Sequence, residues 1–373
     1  MSMNKQTIVT TQRVLVLWAD GKSPNLGVQV LGSGAQALAE SVWGGHTNVS
    51  LQDFAGTQTG VAMGAKAILR EFFGRSRRIR DFLVTHDVVL DTGAGDSFTD
   101  IYGYKRMLTI FAIQRYALRL GLPVVMLPQT IGPFNTVVGK FLARLQLKRV
   151  TVVMSRDPKS TDIASALGRA PDISSSDLVF ALPLVEATES YDVLFNVSGL
   201  LWNANRHVDS VEYRQAVRDL VQQATDAGRR VTLFAHVVNG AANDDDVAAI
   251  QALESDLGAA VDVVVPESLE QARQIIAGAN IVVGARMHAC LNALSLGVPT
   301  IPWAYSRKFE PLLSQLGWPH LVDLRDSRDP AAETLMILSN VEAAELKHAA
   351  VEVGRAGRDA LQLTAEGLRR STE

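Results

Sequence analysis

Residues 281–303 have the sequence IVVGARMHACLNALSLGVPTIPW. The apolar run at its start, the glycine after it and the periodic apolar positions that follow predict a strand, a tight turn and a helix. The helix is expected to end at Gly297, before a second strand. Strands joined through helices are the units of parallel sheets covered by helices on both faces. The segment therefore predicts an α/β fold.

The same alternation extends outward over most of the chain. Short runs rich in Val, Ile and Leu alternate with amphipathic stretches such as Tyr104–Leu120 and Pro158–Leu167, which predict helices. A first series of predicted strands is Val14–Trp18, Thr47–Leu51, Asp87–Asp91, Pro123–Leu127 and Val150–Met154. A second series is Asp192–Asn196, Arg230–Ala235, Val261–Val265, Asn280–Val283 and Thr300–Trp303. Between the two series, Ala181–Tyr191 predicts a linker.

The length of 373 residues predicts two domains, because a domain usually holds roughly 100–200 residues. We expect two Rossmann-like domains that face one another across a cleft, at residues 1–185 and 186–330. The charged stretch Val341–Arg370 predicts a helical tail within residues 331–373. Packing of this tail back on the first domain is one arrangement that the sequence allows.

Composition excludes several classes of protein. Apolar residues make up 47% and charged residues 20% of the chain, which predicts a soluble globular protein. The 36 basic and 39 acidic residues nearly balance, so nucleic acid is not an expected partner. The single cysteine, Cys290, and the lack of a Cys/His cluster predict neither a disulfide nor a structural zinc. Without a signal-peptide pattern or a run of about 18 apolar residues, a cytoplasmic location is expected.

The most informative candidate site is the turn that holds Arg286 and His288. Ligands of open parallel sheets bind beyond the carboxyl ends of the strands, and the first amides of a helix favour an anion there. Arginine adds a two-point fork for phosphate or carboxylate, and histidine transfers protons near neutral pH. The structural alternative is that Arg286 caps a neighbouring helix and His288 is a half-buried ring. Their occurrence together at one turn favours the functional interpretation.

Arg156 and Asp157 follow another predicted strand. Asp157 precedes a proline at a helix start, which predicts a structural N-cap. Arg156 precedes that cap at the strand end, so a second anion ligand and a surface salt bridge are both open interpretations.

Two further loops carry polar candidates. The segment DTGAGDSFTD, residues 91–100, contains Gly95, whose backbone could approach a ligand closely, and the carboxylates Asp96 and Asp100. Gln129 stands in LPQTIGPF at the end of another strand. These polar side chains could order their own loops or meet the hydroxyls of a sugar.

Cofactor and surface patterns give weaker indications. The segment LGSGAQA, residues 31–37, fits a dinucleotide fingerprint but lies a long loop after Trp18, so no nicotinamide cofactor is predicted. Basic stretches at residues 75–80 and 140–149 are typical of solvated helix faces. The alternative is weak peripheral contact with anionic lipid or with an acceptor that carries a pyrophosphate.

The ordered segments resemble the polysaccharide pyruvyl transferase family. The resembling residues are DTGAGDSFTDIYG (91–103), LPQTIGPF (127–134), SRDPKS (155–160), SDLVFALP (176–183) and VVGARMHACLNALSLGVP (282–299), followed by Tyr305 and Lys308. One departure lies near the N-terminus, where members often carry Asn-x-Gly-Asp. This chain has Asn25-Leu26-Gly27-Val28 instead, so any role of that aspartate is absent.

The resemblance implies a transferase with a fold similar to GT-B glycosyltransferases. Its donor would be phosphoenolpyruvate and its acceptor a sugar diol of a cell-surface glycan or of a lipid-linked precursor, with release of phosphate. Neither a metal nor another cofactor is implied. The cytoplasm, including the inner face of the membrane, is the expected location.

The resemblance also implies roles for individual residues. The catalytic set is His288, Arg286 and Asp96, with Asp96 orienting or deprotonating an acceptor hydroxyl. The donor-binding set is Arg156, Arg286, Met287, His288, Tyr305 and Lys308. The acceptor-binding set is Gly95, Asp96, Asp100 and Gln129. Two other functions stay open: a glycosyltransferase that uses a nucleotide sugar, and a sugar-binding relative without catalysis.

Overall fold

The computed structural model describes residues 11–257 and 261–372. The chain forms two compact units, each with its own sheet. Unit 1 consists of Met1–Asp20, Leu31–Ser175 and Leu361–Glu373, and unit 2 consists of Gly21–Val30 and Ser176–Ala360.

Unit 1 is built on a parallel sheet of six strands in the order β2-β1-β3-β4-β5-β6. The strands are β1 (Arg13–Leu17), β2 (Asn48–Gln52), β3 (Val88–Asp91), β4 (Val124–Gln129), β5 (Val152–Ser155) and β6 (Ile173–Ser174). The helices between them are α1 (Leu26–Trp43), α2 (Ala65–Phe72), α3 (Arg78–Leu83), α4 (Tyr104–Arg119), α5 (Val137–Leu147) and α6 (Pro158–Ala166). Every residue of β3 and β4 is buried, as expected for strands covered on both faces.

Unit 2 repeats this plan with the strand order β12-β11-β10-β7-β8-β9. Its strands are β7 (Tyr191–Asn196), β8 (Val231–Phe234), β9 (Asp262–Val264), β10 (Ala279–Gly284), β11 (Thr300–Ala304) and β12 (Val322–Asp323). Its helices are α7 (Gly199–Trp202), α8 (Ser210–Asp226), α9 (Asp246–Leu257), α10 (Leu269–Ala277), α11 (Met287–Ser295), α12 (Phe309–Gln315) and α13 (Pro330–Asn340). A final helix, α14, covers Ala343–Thr372.

The predicted α/β fold is confirmed, and each of the ten predicted strands is present within two residues of its predicted limits. The periodicity did not reveal β6 and β12. Both are edge strands of two residues, which is too short for an alternating pattern to be recognised.

The observed division differs from the predicted domain limits. Residues 21–30, which include the start of α1, and residues 176–185 were expected in the first domain but belong to unit 2. The N–H of Leu26 donates to the His236 carbonyl at 3.1 Å, which joins residues 21–30 to the loop after β8. Residues 176–185 belong to unit 2 because the short 3₁₀ helix Leu178–Ala181 contacts α11 and buries the side chain of Phe180. A Cβ atom on Gly357 of α14 would approach that ring to 2.3 Å, so ring and helix are closely packed.

Helix α14 is divided between the two units at Leu361. Its last part contacts other elements of unit 1. Arg369 donates hydrogen bonds to the backbone oxygens of Val42 and Ser41, at 3.0 and 2.7 Å. The hydroxyls of Thr364 and Ser175 lie 2.5 Å apart. Within residues 11–257 and 261–372, no helix combines the length and the apolar character that crossing a membrane requires.

Candidate functional site

A buried ion pair between Arg286 and Asp246 lies at the carboxyl edge of the unit 2 sheet. Arg286 Nε and Nη2 donate to Asp246 Oδ1 at 3.1 and 2.7 Å, and Nη2 also lies 2.7 Å from Asp244 Oδ1. The side chains of Arg286 and Asp246 are 8% and 0% exposed. Burial lowers the pKa of the guanidinium, but Asp246 and Asp244 raise that pKa by more, so the arginine stays charged.

The Asp246 carboxylate also binds the loops that follow two neighbouring strands. Asp246 Oδ1 accepts the N–H of Gly199 at 2.8 Å, and Oδ2 accepts the N–H groups of His236 and Val237, both at 3.0 Å. The Asn196 amide donates to Oδ2 at 3.2 Å and accepts the N–H of Arg286 at 3.0 Å. One carboxylate thus joins the ends of β7 and β8 to the turn before α11.

His288 lies in the first turn of α11, between Asp177 and the first residues of α1. Its Nε2 atom is 3.8 Å from Asp177 Oδ1, and Asp177 also accepts the N–H of Val179 at 3.0 Å. A Cβ atom on Gly27 would lie 2.8 Å from His288 Nδ1, so a larger residue at position 27 would displace the ring. His288 Nε2 therefore faces a buried carboxylate.

A second histidine, His236, lies inside unit 2 near this site. Its side chain is fully buried, and its Nε2 atom is 3.5 Å from Asn292 Nδ2. Burial, followed by the positive charges of His288 and Arg286, lowers the pKa of His236 well below its ordinary value. His236 is therefore neutral near pH 7, and its backbone N–H serves as one of the donors to Asp246.

Tyr305 and Lys308 lie in the loop after β11. Strand β11 pairs with β10, so this loop leaves the same edge of the sheet as the Arg286 turn. The Tyr305 ring contacts His207 and Phe309, with ring centroids 5.1 and 5.6 Å apart, and burial raises the pKa of its hydroxyl. Burial lowers the pKa of Lys308 to about 8. Met287, the first residue of α11, is half-buried.

Five members of the predicted donor set therefore lie on two adjacent strand ends of unit 2: Arg286, Met287, His288, Tyr305 and Lys308. The sixth, Arg156, belongs to unit 1. Its side chain is 2% exposed, and Nε and Nη2 donate to Thr130 Oγ1 at 3.1 and 2.8 Å. This burial contradicts a surface salt bridge. Asp157 accepts the N–H of Ser160 at 2.7 Å and is the predicted N-cap.

The loop 91–103 of unit 1 holds Gly95 and Asp96. Gly95 has a φ of 81°, a conformation that favours glycine. Asp96 is half-buried and accepts a hydrogen bond from the Tyr102 hydroxyl. Its carboxylate is therefore oriented by a residue of its own loop.

Asp100 and Gln129 form hydrogen bonds that order their own loops. Asp100 accepts the N–H groups of Asn135 and Thr136 and the Thr136 hydroxyl, at 2.8, 2.9 and 2.6 Å, and so orders the start of α5. Burial raises the pKa of Asp100, but these hydrogen bonds lower it by more. Gln129 is fully buried and donates to the Asp91 carbonyl at 3.0 Å. Direct contact of Gln129 with an acceptor does not fit this position.

Sequence reasoning missed Asp91, which lies just before the turn Gly93–Gly95. Its carboxylate accepts hydrogen bonds from the Gly93 N–H, the Trp18 indole and the Gln114 amide, at 2.6, 3.1 and 2.8 Å. Complete burial raises the pKa of Asp91 to about 6.

Asp246, Asp177 and His236 were missed as well. Asp91 and Asp177 each gave a signal, because both lie in segments that resemble the family. In the part of the chain that the structure describes, His, Cys, Asp and Glu form no group of three that could hold a metal.

The ion pair predicts unequal effects of its two acidic partners on stability. Asp246→Ala should lower the free energy of unfolding by about 3–5 kcal/mol, because it leaves a buried arginine and several backbone donors without their main acceptor. Asp244 is 36% exposed, and Asp244→Ala should cost about 1 kcal/mol or less. Urea unfolding of both variants measures the difference. Equal, small losses would show that the pair does not stabilise unit 2.

Comparison with known proteins gives both the fold type and the family. UDP-GlcNAc 2-epimerase from Neisseria meningitidis, bound to UDP-GlcNAc, has a TM-score of 0.60 at 12% identity, over 96% of this chain and 100% of that one. MurG from Acinetobacter baumannii has a TM-score of 0.52 at 14% identity, over 95% and 98% of the two chains. At these identities the likeness shows the fold alone, two Rossmann-like domains of the GT-B type. No curated protein sequence matches the chain significantly.

The sequence itself matches the family model described as polysaccharide pyruvyl transferase over residues 48–307. This match covers well over half of the chain and includes the loops with Asp96, Arg156, Arg286 and His288. The chain therefore belongs to the polysaccharide pyruvyl transferase family and is a transferase.

Proposed function

We propose that this enzyme transfers the pyruvyl unit of phosphoenolpyruvate to two hydroxyls of a sugar, forming a ketal and releasing phosphate. The observation that carries the proposal is the placement of His288, beside Asp177 and in the first turn of α11, at the strand edge that also carries Lys308. A proton-transfer group next to positions that attract anions is what this donor requires.

Phosphoenolpyruvate carries a phosphate and a carboxylate, and unit 2 offers suitable groups for both. The first amides of α11, at Met287 and His288, lie at the positive end of a helix. Lys308 adds a positive charge that is mostly shielded from water. Its attraction to an anionic ligand is stronger there than it would be in water.

Arg286 needs a revised role. The sequence predicted a two-point fork toward the donor, but Nε and Nη2 are occupied by Asp246 and Asp244. The third guanidinium nitrogen of Arg286, Nη1, takes part in neither the contacts with Asp246 nor those with Asp244. Arg286 therefore fixes the turn before α11 and offers Nη1 to the donor.

The reaction must move two protons. Each of the two sugar hydroxyls loses its proton as its oxygen attacks C2 of the donor. One proton is gained by C3, which becomes a methyl group, and the other leaves with the phosphate. His288 is the group that delivers the proton to C3, and Asp177 stabilises the imidazolium before delivery.

The acceptor side of the proposal rests on unit 1. Asp96, oriented by Tyr102, is a carboxylate that can accept the proton of a sugar hydroxyl, and the Gly95 backbone permits a close approach. Arg156 is a buried cation at the end of β5 and is retained as a second anion ligand. The acceptor class is a cell-surface glycan or its lipid-linked precursor.

The reaction is tested by phosphate release. We expect the purified enzyme to release inorganic phosphate from phosphoenolpyruvate only when a glycan acceptor is present. The glycan should gain about 70 Da per ketal, the increment fixed by the chemistry in which both hydroxyl protons leave the acceptor. Phosphate or nucleotide release that depends on UDP-GlcNAc, with no response to phosphoenolpyruvate, would favour a glycosyltransferase.

Two histidine variants provide the matched comparison. His288→Ala should lower kcat by about 10²-fold or more, the usual effect of losing a general acid or base. His348→Ala removes an exposed histidine of α14 and should leave kcat unchanged. If His288→Ala loses stability while its rate per folded molecule is kept, the ring has a structural role only.

Lys308 predicts the pH dependence of donor capture. Its pKa of about 8 means that the free enzyme loses this positive charge as the pH rises through that value. We expect kcat/KM for phosphoenolpyruvate to fall above about pH 8, since kcat/KM reports groups of the free enzyme. Lys308→Arg keeps its charge to higher pH and should move the fall upward. A fall at the same pH in that variant would assign the titration to another group.

A further inference from the structure

Three helical segments of unit 1 carry a strong positive charge that the balance of the whole chain conceals. Residues 65–83, 104–119 and 137–149, which contain α2 to α5, hold 14 basic and only 2 acidic side chains. The whole chain has 36 basic and 39 acidic residues. The rest of the protein is therefore strongly acidic, and the basic charge is concentrated on one group of helices.

The same helices expose large apolar side chains. Leu69, Phe72 and Phe73 lie at the end of α2, and Val137, Val138 and Phe141 lie on the first turns of α5. Phe72 is 76%, Phe73 68% and Val137 84% exposed. Single exposed apolar side chains are common, but several of this size on neighbouring helices mark interaction sites.

These helices lie on one face of the unit 1 sheet. The chain passes from β3 through α4 to β4 and through α5 to β5, and successive right-handed crossovers in one direction place both helices on the same face. Helix α2 contacts α4, and α4 contacts α5. The Tyr116 hydroxyl donates to Glu71 at 3.2 Å, and the Tyr104 hydroxyl donates to Thr136 at 2.7 Å. We call this face, formed by α2 to α5, the basic-apolar face.

A groove of about 350 Å³ lies between α2 and α4 on this face. Its lining includes the apolar residues Ile68, Phe72 and Ala112. Arg115 and Arg119 border it together with one acidic residue, Glu71, so the border carries a net positive charge. This combination fits an acyl chain below an anionic headgroup.

We propose that the basic-apolar face docks on a membrane surface that contains anionic lipid. Basic side chains are attracted to the negative surface potential, and the exposed Phe and Val side chains enter the boundary between headgroups and acyl chains. A symmetric dimer through this face is disfavoured, because the same surface would meet its own positive charge. The phosphates of a nucleic acid would pair with the arginines. The apolar side chains of Val137, Val138 and Leu69 would then remain in contact with phosphate and water.

Docking on a membrane would bring a lipid-linked acceptor close to the enzyme. The loop 91–103 with Asp96 leads directly into α4, so the proposed acceptor loop adjoins the face that would meet the membrane. A lipid-linked saccharide would then be presented at that loop. This step alone rests on the proposed function, and the docking itself does not.

Vesicle flotation with the full chain tests the docking. We expect binding to phosphatidylcholine vesicles that contain about one third phosphatidylglycerol, much weaker binding to pure phosphatidylcholine, and loss of binding in high salt because salt screens the charges. Replacing both Phe72→Ser and Phe73→Ser should lower the partition coefficient at least about tenfold. The pair Arg77→Glu and Arg78→Glu should do the same.

The matched controls remove similar side chains from unit 2. Val211→Ser and Arg328→Glu change exposed residues there and should leave vesicle binding unchanged. Melting temperatures identify any variant that has lost its fold. Phosphate release with a water-soluble acceptor should be the same in all four variants, so a failure of the proposed chemistry is distinguishable from a failure of docking.

Absence of binding to the anionic vesicles would overturn the proposal. Equal binding to both vesicle types, or equal losses in the unit 2 controls, would overturn it as well. Capture of single-stranded RNA with no vesicle binding would assign the face to nucleic acid instead.

Discussion

The buried ion pair between Arg286 and Asp246 is the interaction on which the rest of the unit 2 site depends. Separating two such charges inside a protein is costly, so the positions of both side chains are strongly constrained. Because Asp246 also accepts the N–H groups of Gly199, His236 and Val237, the constraint extends to the loops after β7 and β8. The turn that starts α11, and with it the location of His288, follows from this arrangement.

The fold was largely predictable because parallel strands buried on both faces leave continuous apolar runs in the sequence. The turn with Arg286 and His288 was found for a related reason, since a strand, a glycine and a helix in succession fix where the side chains between them lie. The partner of Arg286 was not predictable. Asp246 lies 40 positions earlier in the chain. No local sequence pattern predicts its ion pair with Arg286, because the strand order of the sheet brings the two residues together.

Polar residues after strands were harder to interpret, because the same residue types order loops and bind ligands. Asp100 and Gln129 form hydrogen bonds with backbone groups of their own unit, whereas the half-buried Asp96 accepts a hydrogen bond from the Tyr102 side chain. The nearly neutral composition likewise concealed the basic-apolar face. Charge balance is a sum over the chain, and only the order of the strands shows which basic helices lie side by side.

The most direct test of the account is a crystal structure of the enzyme with bound phosphoenolpyruvate. We expect the first amides of α11 and Lys308 to hold the phosphate and carboxylate, with His288 within hydrogen-bonding distance of the donor. The contacts between Arg286 and Asp246 should be unchanged by binding. Donor density confined to unit 1, away from His288, would contradict the account.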